Sequence, residues 1–317
     1  MSRSEGLDDP LLAGGLRAGT LGRLLRFCGA GALVMVLIAI ANASARVEAS
    51  SASADGLIAF TRAGSIYIVS PDGTGLRKLA ETRKSRDSDY ALRDPSWSPE
   101  GDRIAYLQGD RGSIVELWVR RSDGSGARQL AINAEYVYEP VTWSRDGKSL
   151  AFTRIEFADG NPWIFRSRLD GLYERTLTRR HMDEDPAWSP DGGVVAFARG
   201  TDFSDGPTIY LVRSSGRGPL SRVTAGREPD WSPDGRLLAF VREGDIYTSE
   251  RDGTDLRRIT RSSVKESSPE WGPGGTSLAF VRTGAVWVVG ADGQNERRVV
   301  GGVPSWGTID WQQRVSP

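Results

Sequence analysis

The sequence predicts an all-β fold, a six-bladed β-propeller whose ring is closed by pairing of its N- and C-terminal strands, preceded by an N-terminal signal or transmembrane helix. Three observations predict it: a unit repeated six times in tandem, turn signals at fixed offsets inside each unit, and an apolar stretch near the N-terminus that follows arginines.

The repeat comes first, because a missed repeat misreads a whole fold. The segments DPSWSPEGDRIAYL from Asp94, EPVTWSRDGKSLAFTR from Glu139, DPAWSPDGGVVAFAR from Asp185, EPDWSPDGRLLAFVR from Glu228 and SPEWGPGGTSLAFVR from Ser268 share one pattern. A truncated sixth copy, IDWQQR, ends the series. The tryptophans at 97, 143, 188, 231, 271 and 311 are spaced by 46, 45, 43, 40 and 40 residues, the period of a four-stranded propeller blade.

Within each unit the Trp-bearing stretch reads as a short first strand. Ser-Pro-Asp-Gly then suits a type I turn, with proline at its second position and glycine at its fourth. The second strand (Leu150-Ala151-Phe152, Leu238-Ala239-Phe240, Leu278-Ala279-Phe280) and the third (Ile66 to Val69, Ile209 to Val212) are apolar on both faces. Strands read this way when they are covered on both sides, as in stacked blades. A second turn at Asp72-Gly73, Asp123-Gly124, Asp170-Gly171, Asp252-Gly253 and Asp292-Gly293 leads to the fourth strand, and decays to Ser215-Gly216 in one unit. The chain enters the repeat at Leu57 on a second strand and leaves at Trp311 on a first strand, so its two ends together supply one blade. Pairing them removes two open sheet edges.

Phe27 to Ala45 is uncharged and mostly apolar, follows Arg17, Arg23 and Arg26, and ends in Ala-x-Ala patterns. This is the order of an export signal, and its length equally suits an uncleaved anchor. Residues 1–45 are therefore read as signal peptide or membrane anchor, 46–56 as linker and 57–317 as the propeller. Cys28, the one cysteine, precedes the apolar run, so the folded part has no disulfide and no thiolate metal ligand. Lysine plus arginine equals aspartate plus glutamate at 41 each, which argues against a purely electrostatic nucleic-acid binder.

The unit [DE]-P-x-W-S-P-D-G-x-x-[LIV]-A-[FY] resembles the WD40-like repeat of the TolB-like six-bladed β-propeller family, over residues 57–317. The resemblance implies a closed ring in the cell envelope. It is confined to the propeller: the family's namesake carries an α/β domain ahead of the ring, where only residues 46–56 stand here between the targeting segment and the first strand. Membership of the Tol–Pal machine does not come with it.

Two sets of residues are candidates for binding. One face of the ring carries the short repeated turns, and the other carries irregular connections at Glu81 to Arg93, Ala131 to Tyr138, Ile155 to Pro162, Arg179 to Glu184 and Gly200 to Pro207. Long loops on one side of a rigid scaffold are where binding usually resides. Their aromatic and polar members are Tyr90, Tyr136, Tyr138, Phe157, Trp163, His181 and Phe203, which serve either a partner or the loops' own packing. The second set is the acid before the repeat proline: Asp94, Glu139, Asp185 and Glu228. These carboxylates either ring the mouth of the central channel, where a cation or a basic peptide segment would sit, or accept backbone hydrogen bonds as the chain enters the strand.

A single histidine, His181, leaves little for acid–base or metal chemistry, and no G-x-S-x-G elbow is present. A carbohydrate-active enzyme, a glycoside hydrolase or lyase working through the channel-mouth carboxylates, is the catalytic alternative. The reading preferred is a non-catalytic, extracytoplasmic monomer that binds a protein or peptide, uses no cofactor and no nucleic acid, and meets the membrane through its N-terminal segment if that segment stays uncleaved.

Overall fold

The structure is a computed structural model, and it describes residues 55–81, 91–109, 115–130, 137, 141–155, 160–171, 173–179, 181–200, 206–304 and 307–313. The targeting segment lies outside them. Among the described residues no helix is long and apolar enough to cross a membrane.

Among the described residues all regular structure is β, in six four-stranded antiparallel sheets. The first takes β1 (Ile58–Arg62), β2 (Ser65–Val69) and β3 (Arg77–Ala80) from the start of the repeats. The next four run in chain order: β4 (Ala91–Trp97), β5 (Arg103–Gly109), β6 (Glu116–Arg121) and β7 (Arg128–Gln129); β8 (Thr142–Trp143), β9 (Ser149–Ile155), β10 (Pro162–Arg168) and β11 (Arg175–Thr176); β12 (Met182–Trp188), β13 (Val194–Gly200), β14 (Thr208–Arg213) and β15 (Ser221–Ala225); β16 (Arg227–Trp231), β17 (Leu237–Arg242), β18 (Asp245–Glu250) and β19 (Arg257–Arg258). The sixth holds β20 (Glu266–Trp271), β21 (Ser277–Arg282), β22 (Ala285–Gly290) and β23 (Arg297–Gly301), and β24 (Ile309–Trp311) then joins β1 to complete the first sheet. In that pairing Ile58 stands opposite Trp311, Ala59 opposite Asp310 and Phe60 opposite Ile309.

The first strands touch one another in the cyclic order β24, β4, β8, β12, β16, β20 and back to β24. Between successive sheets lie six apolar cores, and each contains one repeat tryptophan. Trp311, for instance, packs with Ile58 and Phe60 of the first sheet and with Ala279 and Val288 of the sixth. All six indoles are buried, and each burial stabilises the ring by about 2–3 kcal/mol. Indole N–H groups reach across junctions too: Trp143 donates to the Ser96 carbonyl at 3.0 Å and Trp231 to that of Ala187 at 3.1 Å.

The repeated turns form as their sequence predicts, with Gly101, Gly147, Gly192 and Gly235 each donating 2.8 Å bonds to the carbonyl of the serine three residues before. Ser144, Ser189 and Ser232 donate their hydroxyls to Asp146, Asp191 and Asp234 at 2.6 Å, and these bonds pull the aspartate pKa values down. In the sixth sheet the turn reads Gly-Pro-Gly instead. A Cβ on Gly272 would stand 3.0 Å from the Trp311 ring, so the terminal tryptophan has displaced the serine.

On the opposite face β1–β2, β17–β18 and β21–β22 are joined by two-residue hairpins, Ala63-Gly64, Glu243-Gly244 and Thr283-Gly284, with positive φ at both positions. Such type I′ turns favour Asn-Gly. The β-branched Thr283 at φ 46° is the most strained of the three first positions. Thr283→Asn should therefore raise stability by about 0.5–1 kcal/mol, read as a higher urea midpoint. Trp311→Ala should lower it by about 3–5 kcal/mol in the same assay, whereas Tyr173→Ala, at a ring 76% exposed, should leave it almost unchanged.

Candidate functional site

The first strands bring two levels of side chains to the axis. The upper level is the residue before the repeat proline. Asp94, Asp185, Glu228 and Ser268 have φ between 51° and 53°, a left-handed conformation that is uncommon for a residue with a side chain and more so before proline. Each sits in a β-bulge, where strand register slips between Arg93 and Ser96, Glu184 and Ala187, Arg227 and Asp230, and Ser267 and Glu270. The bulge releases the acid and its proline from the ladder and re-aims the acid toward the neighbouring sheet.

There the acids find backbone. Asp185 Oδ2 accepts the Glu228 N–H at 3.0 Å, and Glu228 Oε2 accepts the Ser268 N–H at 2.5 Å. Ser268 continues the series by accepting the Ile309 N–H through its hydroxyl at 3.1 Å, and Asp94 accepts the Thr308 hydroxyl at 3.1 Å. The residue before proline is thus a clasp between consecutive sheets. Glu139 lies outside the described residues.

The lower level was missed in the sequence reading. Between the repeat proline and tryptophan stand Ser96, Thr142, Ala187, Asp230, Glu270 and Asp310. Thr142 accepts the Trp188 N–H at 3.1 Å, Asp230 the Trp271 N–H at 2.7 Å, and Asp310 the Trp97 N–H. Each donor belongs to the next sheet around the ring. Glu270, Asp310 and the Ser96 hydroxyl neighbour one another at this level. Strand alternation was the available signal: a residue adjacent to a tryptophan packed on one face of the sheet points to the opposite face, toward the next sheet.

These carboxylates are half-buried by exposed area yet deep in the protein mass, so desolvation governs them. Burial, reinforced by the Glu228 charge, pushes Asp185 up to about 7. Glu228 is raised by burial as well. Below them burial pushes Asp230 up to about 7 and Asp310 to about 6, and raises Glu270 well above the usual range with help from both neighbours. Among the described residues no group of three or more His, Cys, Asp or Glu side chains is arranged to hold a metal ion.

The remaining candidates are scattered. Trp163 is a strand residue of β10, opposite Arg154, and its ring stacks on Phe165 with centroids 6.4 Å apart. This corrects its placement among the loop aromatics: the hairpin ends at Pro162, one residue earlier than a solvent-facing loop tryptophan requires. His181 is exposed just before β12, and its carbonyl accepts the Asp183 N–H. Tyr90, Tyr136, Tyr138, Phe157 and Phe203 lie outside the described residues. On the turn face a cleft of about 470 Å³ is lined by Gly275, Thr276, Ser277, Asn295 and Arg297 among others. Asp292 is its one carboxylate and it has no aromatic lining, so it lacks the acid pair of a glycosidase site.

Comparison with known proteins gives the same architecture. In solved structures the chain is similar to TolB from Acinetobacter baumannii, with 20% identity and a TM-score of 0.65 over 82% of this chain and 67% of that one. It is similar to a TolB candidate from Agrobacterium tumefaciens, with 22% identity and a TM-score of 0.61 over 83% and 99%. A chain of a nidogen/laminin complex matches at 11% identity and a TM-score of 0.64 over 82% and 99%, which shows shared fold alone. Among curated proteins it is 35% identical over 60 residues to the uncharacterized peptidase YuxL of Bacillus subtilis, a match spanning 19% of this chain and 9% of that protein. The family model described as the TolB beta propeller domain matches residues 39–225, more than half of the sequence. With its repeats, its six sheets and this match, the chain belongs to the TolB beta propeller family.

Proposed function

We propose that this chain is a non-catalytic, extracytoplasmic propeller of the bacterial envelope that binds a protein or peptide through its loop face. The observation that carries the reading is the unequal treatment of that face. The second and third strands are joined by two residues in the first, fifth and sixth sheets, but by residues 110–115, 156–161 and 201–207 in the second, third and fourth. The long connections therefore fall on three consecutive sheets. The base of the 201–207 connection is anchored: Arg199 grips the buried Asp183 with bonds of 2.6 and 2.9 Å, and its guanidinium lies 5.2 Å from the Tyr210 ring centroid.

Family membership supports the envelope setting, since solved relatives are described as TolB proteins, and the export-type N-terminus agrees with it. The ring is read as shut by the pairing of β1 with β24, which makes it a stable platform. Asp94, Asp185 and Glu228 border the same face, so a basic segment of the partner is the chemistry that would enter at the axis.

The test is capture from envelope extract with the full-length chain and with a variant whose 156–161 and 201–207 connections are each replaced by Asn-Gly. The parent should retain a partner that the variant loses, while both unfold at nearly the same temperature. Identical capture by the two proteins would sink the reading.

A further inference from the structure

We propose that the turn face of the ring docks on an anionic phospholipid bilayer through exposed apolar side chains of alternate sheets, Leu76, Tyr173 and Leu256, with neighbouring arginines meeting the lipid phosphates. This rests on the extracytoplasmic reading above and gives a second partner to the face opposite the long connections.

Tyr173 carries the argument furthest. In every sheet the hairpin between the third and fourth strands has a left-handed residue two positions after its turn glycine. Five sheets place Gly75, Gly126, Gly218, Asp255 and Asn295 there, residue types that tolerate positive φ. The third sheet places a tyrosine, at φ 61° and with its ring 76% exposed. A bulky residue in this conformation is strained, and such strain collects at sites that bind. The ring meets the Arg168 guanidinium 5.4 Å from its centroid, and that arginine is itself paired with Asp170 at 3.2 Å.

Tyr173 is not alone on this rim. Among the described residues five large apolar side chains are exposed, and three of them, Leu76 (42%), Tyr173 and Leu256 (43%), belong to this hairpin in the first, third and fifth sheets. The topology sets all three at the outer edge of one face, spread around the whole ring. Three such separated points touch a plane together, whereas a pocket in a protein partner would take one of them. A tyrosine at a bilayer interface rests its ring among the headgroups and keeps its hydroxyl in water.

The charges beside these residues suit the same surface. Each hairpin runs into a fourth strand that carries exposed lysine or arginine and no acid, with Arg77, Arg128, Arg175, Arg222, Arg257 and Arg297 near its turn-face end. Arg257 pairs with Asp255 at 2.8 Å, whereas Arg128, Arg175 and Arg222 form no ion pair among the described residues. The turn aspartates are directed back onto their own hairpins: Asp72 accepts the Thr74 N–H at 2.9 Å, Asp123 that of Ser125 at 2.7 Å and Asp252 that of Thr254 at 3.0 Å. Guanidinium groups next to apolar tips match the phosphates and the acyl boundary of an anionic leaflet.

The chain also enters the ring on this face. The Trp311 indole donates to the Asp55 carbonyl at 2.6 Å, and a Cβ on Gly56 would stand 3.4 Å from Pro273 in the turn of the sixth sheet. Nine residues separate Asp55 from the apolar stretch that ends at Ala45, a reach of at most roughly 35 Å. An anchor formed by that stretch is therefore tied to the turn face and not to the loop face.

The test reconstitutes the full-length chain, in a Cys28→Ser background, into phosphatidylglycerol/phosphatidylcholine vesicles that contain a headgroup spin-labelled lipid. A bimane reporter is placed at Arg217→Cys on the turn face or at Ser263→Cys on the loop face. The reporter at 217 should be quenched at least about threefold more than that at 263, and Leu76→Ser, Tyr173→Gly and Leu256→Ser together should abolish the difference. Equal quenching of the two reporters, or a difference that survives the triple variant, overturns the docking. Glycine is the residue three other sheets carry at the position of Tyr173, so this change relieves strain and does not endanger the fold. With phosphatidylcholine alone the difference should fall at least about twofold, and an unchanged difference overturns the arginine contacts. The measurement does not involve the 156–161 and 201–207 connections, so its failure and a failed capture through the loop face are separate results.

Discussion

The structure depends on how the inner edge of each sheet is satisfied. A blade has two apolar faces and two raw edges, and its first strand meets no fifth strand at the axis. The backbone N–H groups there still need acceptors, because a buried donor left unpaired costs about 1–3 kcal/mol. The molecule answers with side chains from the preceding sheet: Thr142, Asp230 and Asp310 for the tryptophan N–H groups, and Asp185, Glu228 and Ser268 for the residues near the repeat proline. Where the acceptor is a carboxyl, its hydrogen bond works against the desolvation of the charged form. The acid-proline-x-tryptophan signature is thus first a device for joining blades, and its left-handed acid is the strain that device accepts.

The turn face is committed to the same end. Arg145 reaches the Pro190 carbonyl at 2.7 Å, Arg166 the Ser214 carbonyl at 3.2 Å and Arg103 the Gly147 carbonyl at 3.3 Å, each on the next sheet. The same side chains cover indoles, Arg103 at 5.1 Å from the Trp143 ring centroid and Arg166 at 5.3 Å from that of Trp188, which excludes water from the tryptophan edges. With its arginines used as mortar and its loops reduced to tight turns, this face has little left to vary. Variation is displaced to the other side, where connection length changes without disturbing a junction.

Blade number, strand boundaries and the six tryptophan anchors were legible because they recur, and each repeat is an independent statement of the same constraint. Trp163 was misplaced for the opposite reason. The connection before it differs in length from its counterparts in the other sheets, so no spacing fixes where the strand begins, and Pro162 opens β10 instead of closing a loop. The lower carboxylates were hidden by averaging: Asp230, Glu270 and Asp310 occupy a position that holds serine, threonine or alanine in the other copies, and a consensus turns such a position into an x. The clasping role of Asp185 and Glu228 needs the bulge, and no spacing rule announces a left-handed residue before proline.

What the consensus hid also explains why the acids are not evenly distributed. The second, third and fourth sheets, which carry the long connections, meet the lower level with Ser96, Thr142 and Ala187, whereas the fifth, sixth and first supply Asp230, Glu270 and Asp310. The charged run therefore straddles the one sheet assembled from both ends of the described chain, whose strands must find each other over the largest sequence separation and at the largest loop-closure cost. Thr142 makes its bond through a hydroxyl between consecutive sheets, whereas Asp230 makes the same bond through a carboxyl. Where β24 returns to β1, Asp310 adds a bond to the Trp97 N–H of the next sheet and offsets part of that cost. Burial holds all three carboxyls above their ordinary range, and at Asp230 and Glu270 the neighbouring charge adds to it, so the seam is strengthened by groups whose ionised form is disfavoured there.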